Sequence, residues 1–333
     1  NIGAVTTSNA LLLASDATSA FRFVPNANWN GVTGPFSYKA WDQTTGTAGT
    51  YVDASVSGGT TAFSGTSGST LQVLAMNDAP TITNGYTHTL TTTNEDTTSS
   101  GTLASAILSG ATYADVDSGA VGGLAITATT GTGTWQYSTD GTTWQNFGAV
   151  SSTNALLITS STQVRYIPNA QNGETATFTY KAWDQTSGTA STNATASYAT
   201  TASSGGTTSF SSNNATAQMM VTSVNDAPVL DNLQSPILIA MSEHAGAPVG
   251  AVGTLISSLV DFASPAGQVD NVTDVDTAAQ LGIALTAINE SYGSWYYSTN
   301  NGTNWTRLSN VTDTSARLLA ADANTRLYFQ PNT

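Results

Sequence analysis

Residues 36–46 read FSYKAWDQTTG, and residues 178–188 read FTYKAWDQTSG. Two near-identical strings so far apart predict a chain built from repeated units, each with its own core, rather than one large continuous fold. Other strings recur in the same order. Asn77-Asp78-Ala79-Pro80 returns as Asn225-Asp226-Ala227-Pro228, and RFVPNA (22–27) returns as RYIPNA (165–170) and RLYFQPN (326–332). WQYSTDGTTW (135–144) returns as WYYSTNNGTNW (295–305), and ADVDSGA (114–120) as TDVDTAA (273–279). The unit is about 150 residues, the size of one domain. Residues 1–77 carry the C-terminal part of one repeat, 78–225 a complete repeat and 226–333 the N-terminal part of a further one. Both ends are therefore expected to cut through a unit, which makes the chain a window on a longer array.

Within a unit the hydrophobic period is two. Phe178, Tyr180 and Ala182 alternate with Thr179 and Lys181, and Gln163–Ile167 alternates likewise. That pattern, with abundant Thr, Val, Tyr and Trp, predicts strands. Asp140-Gly141 between two aromatic runs is a hairpin signal. Short strands separated by frequent turn signals predict an all-β fold of tandem sandwiches. No stretch carries a helical stripe with caps. Residues 186–216, rich in Ser, Thr, Gly, Asn and Ala, read as a low-complexity surface insertion or long hairpin of weak order.

Composition removes several function classes. Only 8% of residues are charged, with 7 Lys+Arg against 21 Asp+Glu and a net charge of −14. Such a surface repels phosphates, so nucleic acid is not an expected partner. No apolar run reaches the roughly 20 residues of a membrane-spanning helix. No charged-then-apolar leader is visible. Cysteine is absent, which removes disulfides and thiolate metal sites. Two histidines, His88 and His244, leave few general bases, and neither recurs in register.

With charges so sparse, the positions of the acids are informative. Asp42 and Asp184 end the KAWD strings; Asp78 and Asp226 sit in NDAP. Asp115/Asp117 and Asp274/Asp276 form D-V-D pairs, and Glu95 (beside Asp96) and Glu243 follow each NDAP at the same distance. Two carboxylates at i and i+2 repel if they share a strand face, unless a cation or an open turn separates them. Calcium takes six to eight oxygens from carboxylates, Asn side chains and loop carbonyls, and needs neither His nor Cys. Asp is also a common turn former, and that plainer reading remains open for each position.

AWDQTTG (40–46) followed by VLAMNDAP (73–80) resembles the cadherin pattern A-x-D-x-G, then V-x-D-x-N-D-N-x-P. With the D-V-D pairs and the upstream Glu, the chain is most similar to the bacterial cadherin-like, VCBS-type Ig-like tandem repeats of giant secreted RTX-type adhesins. The resemblance implies tandem Ig-like or cadherin-like β-sandwiches in an extended array, with Ca2+ at each junction between units. Carried over residue by residue, it implies Asn77, Asp78, Asp115, Asp117 and Asp184 as ligands at the first junction. At the second it implies Glu95, Asn225, Asp226, Asp274 and Asp276, with Asp96 nearby. Asp42 and Glu243 would face further units. The chain departs from the pattern at Ala75 and Ser223, in place of the first linker Asp, and at Ala79 and Ala227, in place of the second Asn. The cadherin L-D-R-E glutamate has no equivalent. One or two ions per junction follow, rather than three.

The expected function is a calcium-stiffened stalk of a large bacterial cell-surface adhesin, secreted and extracellular. Its partners would be neighbouring repeats of the same chain, and its distal domains would carry any glycan or host-cell ligand. Two alternatives stay open. One is a self-assembling filament, sheath or surface layer held by lateral contacts between thinly charged edges. The other is a glycan-binding module built on the Trp-rich hairpin, where Ser298–Trp305 resembles the Asp-box, S-x-D-x-G-x-T-W, with Asn300 in place of its Asp. An enzyme is not expected, because the paired acids fall at predicted junctions rather than across a cleft. Arg22, Arg165 and Arg326, which recur before the x-P-N turn, read as turn-stabilising or acid-pairing residues.

Overall fold

The computed structural model describes residues 1–332. The chain is all-β, with its strands distributed over several sheets. Phe178–Trp183 of the FTYKAWD string form the C-terminal part of the longest strand; Phe178 and Tyr180 are buried with Thr179 half-buried between them, and Lys181 and Trp183 are buried as well. In the complete unit the strands are β1 (Thr87–Thr89), β2 (Thr93–Asn94), β3 (Thr102–Leu103), β4 (Gly123–Thr129), β5 (Thr134–Ser138), β6 (Gln145–Asn146), β7 (Ala155–Thr159), β8 (Gln163–Ile167), β9 (Glu174–Trp183), β10 (Tyr198–Ala199) and β11 (Ala215–Thr222). One sheet runs β10-β7-β4-β9-β11-β1, with β2 also on β11; the other runs β6-β5-β8-β3. Pairing is antiparallel except for β1 and β2, which run parallel to β11.

The two sheets share one core. Ala176, Phe178, Tyr180 and Ala182 of β9 enter it from the first sheet, and Trp135, Tyr137, Val164 and Tyr166 from the second. The Trp135 ring joins them, with centroids 5.0 Å from Phe178 and 4.8 Å from Tyr166. Each large side chain buried there contributes about 1.5–3 kcal/mol. The backbone must also come close at Gly131, whose φ of +107° and contact with Tyr166 and Ala176 leave no place for a Cβ.

Two sequence expectations need correction. Residues 186–216 are not a loosely ordered insertion. They supply β10 on the edge of the first sheet, and Phe210 packs with Trp183, Leu157, Ala155 and Ala125 in a second small core. That cover explains why β7 and the start of β4 are buried on both faces and do not alternate. A helix also forms, α1 (Ala104–Gly110), with Ala104, Ile107 and Leu108 buried at i, i+3 and i+4 and no side-chain cap. It is too short to stand on propensity and is held by its packing.

The flanking parts repeat this plan. In residues 226–332, the sheet order Thr254–Leu255, Arg326–Pro331, Gly293–Ser298, Thr306–Arg307 matches β3-β8-β5-β6. The pair Gly282–Leu285 with Arg317–Ala320 matches β4-β7. A 3-10 turn, Ile256–Ser258, stands where α1 stands. In residues 1–77, Ala10–Leu11 pairs with Tyr51–Val52 as β7 pairs with β10, and Phe36–Tyr38 pairs with Ser67–Ser69 as β9 pairs with β11. Only Leu12, Ala54 and Ala62 are buried apolar residues in that part.

Candidate metal centre

The same backbone-to-carboxylate geometry forms at both NDAP strings. Asp78 N donates to Asp117 Oδ2 at 2.8 Å, and Asp226 N donates to Asp276 Oδ2 at 2.9 Å. Within each D-V-D, the second Asp donates its N–H to Oδ1 of the first, at 2.9 Å in both. D-V-D is thus an open turn and not a strand face, and each first Asp makes an Asx turn. The turn uses one oxygen only. The other oxygen of Asp115, Oδ2, is buried without a hydrogen-bond partner.

At the first junction the Asn77 amide donates to Asp184 Oδ2 at 3.0 Å and to Thr208 O at 3.2 Å. Asp184 is buried, and its Oδ1 accepts from Thr186 N at 2.8 Å and Thr186 Oγ1 at 2.5 Å. The end of β9 sets this position, and Asp184 N bonds to Ser209 O of the ordered insertion at 3.1 Å. Tyr113 faces the same acids. Burial, and the charges of Asp115 and Asp184, push its hydroxyl up to about 12. Asn77, Asp78, Asp115, Asp117 and Asp184 are therefore brought to one place. The sequence offered no reason to single out Tyr113.

At the second junction Glu95, Asp226 and Asp276 each offer a carboxylate oxygen, and the three oxygens lie within 4.8 Å of one another. Two oxygens on opposite sides of one calcium ion are about 5 Å apart. Glu95 follows β2, which is fixed on β11, and is only 1% exposed. Its Oε1 accepts from Val224 N at 2.6 Å, while Oε2 is buried with no partner. Asp226 Oδ2 is unpartnered too. Burial first, then the charges of Asp276, Asp96 and Asp274, raise the Asp226 carboxyl above its ordinary value. No Lys, Arg or His lies within ion-pair distance of these acids among the described residues. Asn225 donates to the Asp226 carbonyl at 2.9 Å, and Asp96 is exposed.

Three chain segments therefore meet at this centre: the turn after β2, the linker and the 274–276 turn. Among the described residues the first junction does not close into the same three-carboxylate group. Among the described residues, Asp42 and Glu243 join no carboxylate group. Asp42 is exposed and accepts from Thr44 N and Oγ1, as Asp184 does from Thr186. Glu243 is exposed beside His244.

The remaining motifs are structural here. Asp140 Oδ1 accepts from Thr142 N and Thr143 N at 2.7 Å each, and these bonds hold its carboxyl far below the usual range. Asn300 makes the matching turn, accepting from Asn304 N at 2.9 Å. Trp135 is 4% exposed and the Arg165 guanidinium lies 4.1 Å above Trp144, so this hairpin presents no open pair of rings. Arg165 also donates to Gln136 Oε1, and Arg326 to Asn301 Oδ1 and Gly253 O; neither pairs with an acid.

A further contact at the second junction was not visible in the sequence. Asn172, in the turn between β8 and β9, bonds to Val275 and Thr277 on either side of Asp276.

No protein-family model matches the chain, and no curated protein matches it. Among solved structures it is similar to the endo-fucoidan hydrolase MfFcnA4 from glycoside hydrolase family 107 and to a variant of that enzyme. Identities are 14% and 13%, with TM-scores of 0.23 and 0.22. Each match covers 90% of this chain and 38% of the enzyme's. At such TM-scores the likeness carries no argument about fold or activity.

Proposed function

We propose that the chain is a calcium-stiffened stalk of tandem cadherin-like β-sandwiches, part of a large extracellular protein of the bacterial surface. One observation carries the reading. Glu95 is buried at the end of one repeat, with a free oxygen turned toward Asp226 in the linker and Asp276 in the next repeat. A buried, unpaired carboxylate is costly, and three together repel. A hard divalent cation removes both costs at once. Asp115, Asp117, Asp184 and Asn77 would hold a second ion at the first junction, and Asp274 and Asn225 would complete the second. Loop oxygens of this kind suit calcium better than magnesium, which demands a tight octahedron.

The cation's work is mechanical. Without it the acids push apart and the linker bends. With it, three segments are tied and neighbouring repeats share one axis. Extracellular modules bind calcium at about 10⁻⁴–10⁻³ M, which suits a millimolar exterior. At ten times the dissociation constant, binding adds about 1.4 kcal/mol to stability.

Small-angle scattering and thermal melting of the full chain, in 10 mM calcium and in excess chelator, test this. The maximum dimension and the melting temperature should both fall on chelation. Glu95→Gln keeps the Val224 bond but removes a charge, and should abolish the calcium response at the second junction. Identical curves with and without calcium would overturn the reading.

A further inference from the structure

The Asn172 side chain makes three hydrogen bonds across the second junction. Nδ2 donates to Val275 O at 2.6 Å; Oδ1 accepts from Thr277 N at 2.8 Å and Thr277 Oγ1 at 2.6 Å. Asn172 belongs to the repeat that ends at the linker, and Val275 and Thr277 belong to the repeat that follows. The amide therefore brackets Asp276 on both sides. Its own base is tied to the linker as well. Gly173 N donates to Ser223 Oγ at 2.8 Å, and a Cβ on Gly173 would come within 2.6 Å of Ser223 N. Only glycine lets the turn approach so closely.

We propose that Asn172 is a cation-independent latch. It fixes the second D-V-D turn against the preceding repeat and so positions Asp276 before any cation arrives. An amide suits this role. It donates from one atom and accepts at the other, and it adds no charge to a crowded acidic site. Asp in its place could not donate to Val275 O. The residue types recur at the first junction. Asn30-Gly31 follows Pro25-Asn26-Ala27 after two residues, where Asn172-Gly173 follows Pro168-Asn169-Ala170 after one, and Ser118 follows Asp117 as Thr277 follows Asp276. No matching Asn30 bond forms there among the described residues, so the latch is engaged at the second junction alone. Its effect on calcium rests on the stalk reading; the latch itself does not.

The chain contains no cysteine, so Thr142→Cys and Thr303→Cys place two spin labels uniquely on exposed turns of the two repeats. Double electron–electron resonance on the full chain in excess chelator reads the spread of distances between them. With Asn172 intact the distribution should be wider than in calcium but narrower than in the latch variants. Asn172→Ala should broaden it at least about twofold and weaken calcium binding by roughly tenfold, the equivalent of one or two lost hydrogen bonds. Thr277→Val removes one bond and should give an intermediate width. If Asn172→Ala and Thr277→Val both match the parent in chelator, the latch is overturned. If calcium binds none of these proteins but Asn172→Ala still broadens the distribution, the latch stands and the calcium reading fails.

Discussion

Tyr166 and Glu174 form a tight polar pair in the complete unit. The Tyr166 hydroxyl donates to Glu174 Oε1 at 2.5 Å and accepts from Gly133 N at 2.6 Å, and Thr132 N donates to Glu174 Oε2 at 2.9 Å. Burial acts to raise the Glu174 carboxyl, but the bonds from Tyr166 and Thr132 outweigh it and leave the carboxyl below its ordinary 4.5. A depressed folded-state value means that the pair's contribution is complete above pH 4.5 and is lost as pH falls through the lower value. Glu174→Gln should therefore cost about 1 kcal/mol at pH 7. In chemical denaturation, its difference from the parent should shrink toward pH 3. At this scale the sequence was informative about which residues matter and silent about their atoms. D-V-D could be read as a turn or as a ligand pair. The structure assigns one oxygen of Asp115 to the turn and leaves the other free. Asn172 could not be found from the sequence, because its partners lie about 100 residues away and an Asn-Gly pair signals only a turn.

Among elements, the strands of the complete unit were legible where only one face is buried. Alternation survives in β8, in β9 as far as Tyr180, and in β11. It fails where the segment 186–216 covers the outer face of the first sheet. Low-complexity composition hid this, since Ser, Thr and Gly predict loops and the cover depends on one aromatic, Phe210, meeting Trp183. Phe210→Ala should destabilise the unit by about 3 kcal/mol. It should also expose Trp183, readable as a red shift in fluorescence. If stability is unchanged, the segment is a passive cover. Helix α1 escaped notice for a related reason. Two turns without caps leave no signal in sequence, and Ile107 and Leu108 become informative only once the core is known.

Across the whole molecule, burial is uneven. Phe178 is fully buried, whereas its repeat counterpart Phe36 is 44% exposed. Amide exchange should follow this. Protection should be highest in β4, β7 and β9, and residues 1–77 should exchange roughly a hundredfold faster or more. Uniform protection along the chain would contradict the uneven core. The parallel pairing of the first and last strands of the unit was not legible in the sequence. Thr87–Thr89 and Thr93–Asn94 lie in register on Thr216–Gln218 and Val221–Thr222. In the array proposed above, tension would enter the unit ahead of the first strands and leave after the last, at opposite ends of that ladder. The strands are then loaded in shear, so all their backbone bonds resist together instead of opening one by one. A domain wired in this way holds under a pull that would unzip a hairpin.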